Sequence, residues 1–164
     1  MATQTSASVS SPNVPREGPW FRGLGDLPGG KYESEASSVS ASAVVVGFSS
    51  SERGIEAFRW TFKDGLQGLG DLPGGDFQSR ALDISDDGMR IVGNGATTCL
   101  RYRYCSDALF WTHDGAMQTL RNPDDPQGSS EAMAISSDGR SIVGSVFAKL
   151  ERRAARWGSP NADP

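Results

Sequence analysis

The chain has 164 residues and a mass of 17.4 kDa, enough for one domain of ordinary size. Hydrophobic residues are only 37% of it, while 20 glycines and 9 prolines exceed a sixth of the chain, which disfavours a helical bundle and points to an all-β protein. Sixteen basic and 20 acidic side chains leave a net charge of −4, with one histidine and two cysteines; this argues against nucleic-acid binding, most zinc sites and any Ser-His-Asp or Cys-His catalyst not built on His113.

Residues 1–17 are rich in Ser, Thr, Ala and Pro and read as a disordered tail. They lack a basic n-region and an apolar h-region, so no signal peptide is expected within them. Residues 18–158 read as one β domain of three repeats, and 159–164 as a second tail. Gly23-Leu24-Gly25-Asp26-Leu27-Pro28-Gly29-Gly30 recurs unchanged from Gly68 to Gly75, and Thr119-Leu120-Arg121-Asn122-Pro123 is a degenerate third copy. A second element, Ser85-Asp86-Asp87-Gly88-Met89-Arg90-Ile91-Val92-Gly93, is echoed from Ser136 to Gly144, with a shorter first copy from Ser40 to Gly47. The third element is Ala57-Phe58-Arg59-Trp60, then Ala108-Leu109-Phe110-Trp111, then Ala154-Ala155-Arg156-Trp157. Elements recurring in fixed order mark an internal repeat.

Each element has strand chemistry. Alternation in Ala81-Leu82-Asp83-Ile84 predicts Leu82 and Ile84 on one face, with Ala81 and Asp83 on the other. The Asp-Gly pairs at 87–88 and 138–139, and again at 64–65 and 114–115, are tight-turn signals. Pro73-Gly74-Gly75 is expected to end a fourth strand, and Gly47, Gly93 and Gly144 to close each second strand. Each repeat therefore reads as a four-stranded antiparallel meander. A fourth-type strand at 21–27 opens the chain, and the last unit stops after its third, so twelve strands are expected. The N-terminal strand is expected to complete the final repeat, as in ring-shaped repeat folds.

The pattern GLGDLPGG, then S-x-A-x-x-I-S-x-D-G-x-x-I-V-G, then A-F-x-W-T resembles the HAF-type bacterial extracellular repeat over residues 20 to 157. The naming tripeptide reads Glu56-Ala57-Phe58, Asp107-Ala108-Leu109 and Arg153-Ala154-Ala155 here, so the third copy has drifted furthest. The resemblance implies a secreted or surface-associated bacterial protein with β-propeller-like blades, and it carries over no catalytic residues. Closed propellers have four to eight blades, so three units are expected to close by head-to-tail dimerisation into a six-bladed ring. The alternative is a monomeric β-trefoil.

Both cysteines lie in the longest inter-strand insertion, Cys99-Leu100-Arg101-Tyr102-Arg103-Tyr104-Cys105. In a secreted chain a Cys99–Cys105 disulfide is expected to staple this loop. Within it Arg101 and Arg103 alternate with Tyr102 and Tyr104, residue types that favour binding hot spots, so these four are the candidate ligand contacts. The alternatives are edge cover with solvated arginines, or a contact between propeller subunits through this loop. Trp60, Trp111 and Trp157 recur in register and are assigned to packing, with sugar stacking a minor option. Asp26 and Asp71 are assigned to fixing their turns, and His113 to an exposed turn. The Asp-Gly turns lack calcium-loop spacing, and the PGG stretches lack the Lys-Ser/Thr and helix of a phosphate loop.

These readings predict a non-enzymatic module that recognises a glycan or protein through its loops, without metal or cofactor. A purely structural or self-assembling module, or a fragment of a longer extracellular repeat array, is the alternative; a hydrolase using an acidic pair is a third reading. Neither nucleic-acid binding nor membrane insertion is expected, since no aliphatic run is long enough for a spanning helix.

Overall fold

The computed structural model describes residues 20–98, 105–121, 125, 128–148 and 151–160. The fold is all-β. The first sheet is a meander of β1 (Gly29–Val39), β2 (Val45–Ser51), β3 (Ile55–Thr61) and β4 (Gly65–Gly68). The second repeats it with β5 (Ser79–Ile84), β6 (Arg90–Thr97), β7 (Cys105–Thr112) and β8 (Met117–Leu120). The third has β9 (Ser130–Ile135), β10 (Ser141–Ala148) and β11 (Glu151–Gly158), in the order β11-β10-β9. All pairings within the sheets are antiparallel. The strands group by repeat into separate sheets, and not into the shared barrel that a β-trefoil requires.

The sheets stack face to face through two apolar cores. Between the first and second lie Val44, Val46, Ala57, Ala81, Ile84, Ile91, Leu109 and Trp111, with Leu69, Leu72 and Met117 packed against them. Between the second and third lie Val92, Ala108, Phe110, Leu120, Ala132, Ile135 and Ile142, with Trp157 alongside. β7 serves both cores: Leu109 and Trp111 face back and Ala108 and Phe110 face forward, as period-two alternation dictates. That is why this strand is buried on both sides.

Alternation fails at the same place in every repeat. The register skips a residue at Ser37, Leu82 and Met133, a bulge in the first strand of each sheet. Ala81 and Ile84 therefore share one core, whereas strict alternation predicted opposite faces. The glycine opposite each bulge explains a fixed feature of the sequence. A Cβ on Gly47, Gly93 or Gly144 would lie 1.9 Å from the carbonyl oxygen of Glu35, Arg80 or Glu131, respectively. These glycines lie inside β2, β6 and β10 and do not end them, because their role is close approach and not a turn.

Two further expectations need correction. β4 stops at Gly68, so the stretch to Gly75 runs out of the sheet as irregular chain. Residues 21–27 form no strand, and the described residues hold eleven strands instead of twelve. A strand needs an edge to pair with, and among the described residues β11 has no fourth strand beside it. The N-terminal segment instead lies against the first sheet, where Leu27 is buried and its N–H donates to Ser49 Oγ at 3.0 Å.

Candidate functional site

Each sheet offers the same end, where its second strand passes to its third. β6 and β7 stay in register up to Thr97 opposite Cys105, leaving seven linking residues, 98 to 104, whereas Ala148 opposite Glu151 leaves two in the third sheet. The linking segment is therefore flanked on both sides by paired strand residues. Cys105 is buried at the start of β7. Cys99, Arg101, Tyr102, Arg103 and Tyr104 lie outside the described residues, as do residues 1–17 and, of the expected tail 159–164, residues 161–164; Ser159 is buried, its N–H donating to Arg140 O at 2.9 Å.

At the same end of the first sheet a groove of about 420 Å³ opens between the N-terminal segment and the β2–β3 turn, lined by residues including Leu27, Pro28, Arg53 and Glu56. Glu56 is buried at its floor. Its Oε1 accepts from Gly70 N–H at 3.1 Å and from Arg53 Nη2 at 3.2 Å. Nearby, Asp71 accepts from Leu72 N–H at 2.8 Å and Gln78 N–H at 2.5 Å. Burial pushes the Asp71 carboxyl above its ordinary range, and the negative charge of Glu56 adds to the push. Both carboxylates are engaged with backbone N–H groups, Glu56 through Oε1 and Asp71 through both oxygens. In the first copy Leu27 N–H goes to Ser49, so Asp26 is not used as its counterpart Asp71 is.

The position of Glu56 is held by Asp107 in the second repeat. Asp107 is buried and stands 3.9 Å from Arg121 Nη2; burial raises its pKa more than the arginine lowers it. Asp83 joins all three sheets, accepting from Ser38 Oγ at 2.7 Å and Ile135 N–H at 2.9 Å. Arg80 adds a stacking contact across the first joint, 3.9 Å from the centre of the Phe48 ring. Among the described residues no group of three or more His, Cys, Asp or Glu is arranged to hold a metal.

The repeated tryptophans differ in setting. Trp111 is fully buried, and its Nε1 finds no acceptor among the described residues. Trp157 is half-buried and donates to Arg121 O at 3.4 Å, while Trp60 is half-buried with the Arg22 guanidinium 5.9 Å from its ring centre. His113 lies in the turn between β7 and β8, with its N–H bonded to Met89 O at 2.9 Å.

Sequence reasoning missed Glu56, Asp83 and Asp107 as joint-forming acids. Asp83 has Ser38 and Ala134 at its equivalent positions, so repetition gave no signal for it. The joint serines Ser79 and Ser130 did have one, since each stands six residues before the serine that opens the Asp-Gly turn. Comparison with known proteins finds no family model, curated protein or solved structure that matches the chain.

Proposed function

We propose that the chain is a non-catalytic repeat module of an exported protein, binding a glycan or protein through the 98–104 excursion. The observation that supports this is the paired base of the excursion, with β6 and β7 in register to Thr97 and Cys105. A loop held at both feet loses little entropy on binding. The absence of a free cysteine among the described residues is in keeping with a Cys99–Cys105 staple. Arg101, Tyr102, Arg103 and Tyr104 are the contact residues in this reading, and the likeness to the HAF-type repeat supports an extracellular setting. The test is retention of the protein on arrays of immobilised glycans and of bacterial and host surface proteins. Tyr102→Ala/Tyr104→Ala should weaken binding to the retaining partner about thirtyfold or more, the loss of one hot-spot anchor at roughly 2 kcal/mol. No retention of the parent chain, or equal retention of the double variant, defeats the reading.

A second reading, self-assembly, is favoured by a separate observation. The outer faces of the first and third sheets carry apolar residues in the open: Val39, Val143 and Met133 are all exposed.

A further inference from the structure

The two joints between sheets are made from the same parts. In the first, Ala57 N–H donates to Ser79 Oγ at 3.0 Å, and that hydroxyl donates to Gly70 O at 2.7 Å. In the second, Ala108 N–H donates to Ser130 Oγ at 2.9 Å, and that hydroxyl donates to Leu120 O at 3.1 Å. Each joint needs a serine on the first strand of one sheet. It also needs an alanine N–H on the third strand of the sheet before, and a carbonyl near the exit of that sheet's fourth strand.

The two outer faces hold these same parts, divided between them. Ser34 occupies the repeat position of Ser79, and its hydroxyl already donates to Gly25 O at 3.0 Å, as Ser79 does to Gly70. Half of a third joint is therefore formed, lacking only a third strand with its alanine. At the opposite end β11 offers that strand. Ala154 stands where Ala57 and Ala108 stand in their repeats, and β11 is the edge of its sheet. In β3 the N–H and C=O of Ala57 both point to the fourth-strand side, to Ser79 and to Leu69 N–H. By the repeat, those of Ala154 point to the open edge.

Burial and charge agree with this matching. Val39 and Val143 are 62% and 46% exposed, whereas their repeat equivalents Ile84 and Val92, inside the joints, are 5% and 0%. At the first joint the facing charges are Glu56 and Asp71, which repel. At the outer faces the same positions hold Arg153, which pairs with Glu151 at 2.6 Å, and Asp26, charges of opposite sign. The arrangement is complementary end to end.

We propose that the chain binds a second copy of itself head to tail, residues 20–23 of each copy forming the missing fourth strand beside β11 of the other. Two such joints join six sheets in a ring, within the four to eight blades that close readily. The register follows from β3 and β4, where Phe58 faces Gly68 and Trp60 faces Leu66. It sets Ala155 opposite Gly23 and Trp157 opposite Phe21 of the other copy. Phe21, now 89% exposed, gains a partner. Arg156 falls opposite Arg22, the one like-charged pair, and the Arg22 guanidinium is drawn aside over the Phe62 ring at 4.8 Å.

Light scattering of the 164-residue chain at micromolar concentration should read twice its 17.4 kDa. Gly23→Cys/Ala155→Cys, oxidised, should give a covalent species of that doubled mass on a non-reducing gel; a Cβ at position 23 meets nothing within 4 Å. Ala154→Pro removes one outward N–H from an edge strand, a change such strands tolerate, and should halve the mass with the far-UV circular dichroism unchanged. Tyr102→Ala/Tyr104→Ala should keep the doubled mass, because the contact does not involve the excursion. A monomeric parent, a cross-link within one chain, or a ladder of higher multiples overturns the proposal. So does a doubled mass that survives Ala154→Pro or is lost with the tyrosines.

Discussion

Ala43 sits in a turn whose later copies use glycine. In the second and third copies Ser85 and Ser136 donate to Asp87 and Asp138 and accept an N–H from Arg90 and Ser141, while Gly88 and Gly139 take positive φ. In the first copy Ser40 and Ser42 make the equivalent pair at 2.8 Å, and Ala43 adopts φ 60° at the glycine position. A left-handed alanine costs about 1 kcal/mol or more, partly offset by the greater freedom glycine brings to the unfolded chain. Ala43→Gly should therefore raise stability by roughly 0.5 kcal/mol, a melting shift of about 1–2 °C. A lower melting temperature would show that the turn is not strained. The acids of the turns and those of the joints have opposite pH effects. Hydroxyl donors Ser85 and Ser136 hold Asp87 and Asp138 below the ordinary 3.8; the stability they add is complete above that value and lost as pH falls through their lower folded values. Asp107 is raised by burial, so its ionisation destabilises the fold, fully above its folded pKa and not at all below 3.8. Asp107→Asn should stabilise at pH 7, with the gain shrinking as pH is lowered through its raised folded pKa and gone below 3.8. Urea titrations at several pH values would show it, and a gain independent of pH would refute the assignment.

Among the elements, the bulge decides what alternation cannot. A Cβ 1.9 Å from the Arg80 carbonyl cannot be accommodated without moving backbone, so Gly93→Ala should cost about 3 kcal/mol or more. Gly158→Ala, where a Cβ meets nothing within 4 Å, should change stability by no more than about 0.5 kcal/mol. Equal effects in a denaturant titration would contradict the close approach. Much of this level was legible in the sequence. The order of strands, the Asp-Gly turns and the register of the three tryptophans follow from repetition, since a unit that recurs must pack the same way each time. The facing of Leu82 was not legible, because an inserted residue leaves composition and local alternation intact. Its trace was the glycine that opposes it in every copy. Asp83 was hidden for a different reason: its equivalents are Ser38 and Ala134, so nothing in the repetition marks it.

For the whole molecule, three units could be counted from the chain, but not how they end. Residues 21–27 have the composition of a fourth strand and no edge within reach, because strand formation depends on a partner as much as on propensity. The candidate site divides the same way. The excursion announces itself by its length, its paired cysteines and its alternating tyrosines and arginines. The groove at Glu56 does not, since it forms only when the N-terminal segment lies against the first sheet.

The joint serine has one more consequence, for how such a chain could have grown. Its hydroxyl receives from one strand of the preceding sheet and gives to the chain leaving it, so the contact has a direction. The first two units each present an alanine N–H and a carbonyl near the fourth-strand exit, and the second and third units each bring the serine that joins them. A gene duplication that adds a unit thus brings the parts of its own attachment. Repeat number is then set by history, whereas the interior of each unit is held by the glycine, serine and alanine positions that make the fit.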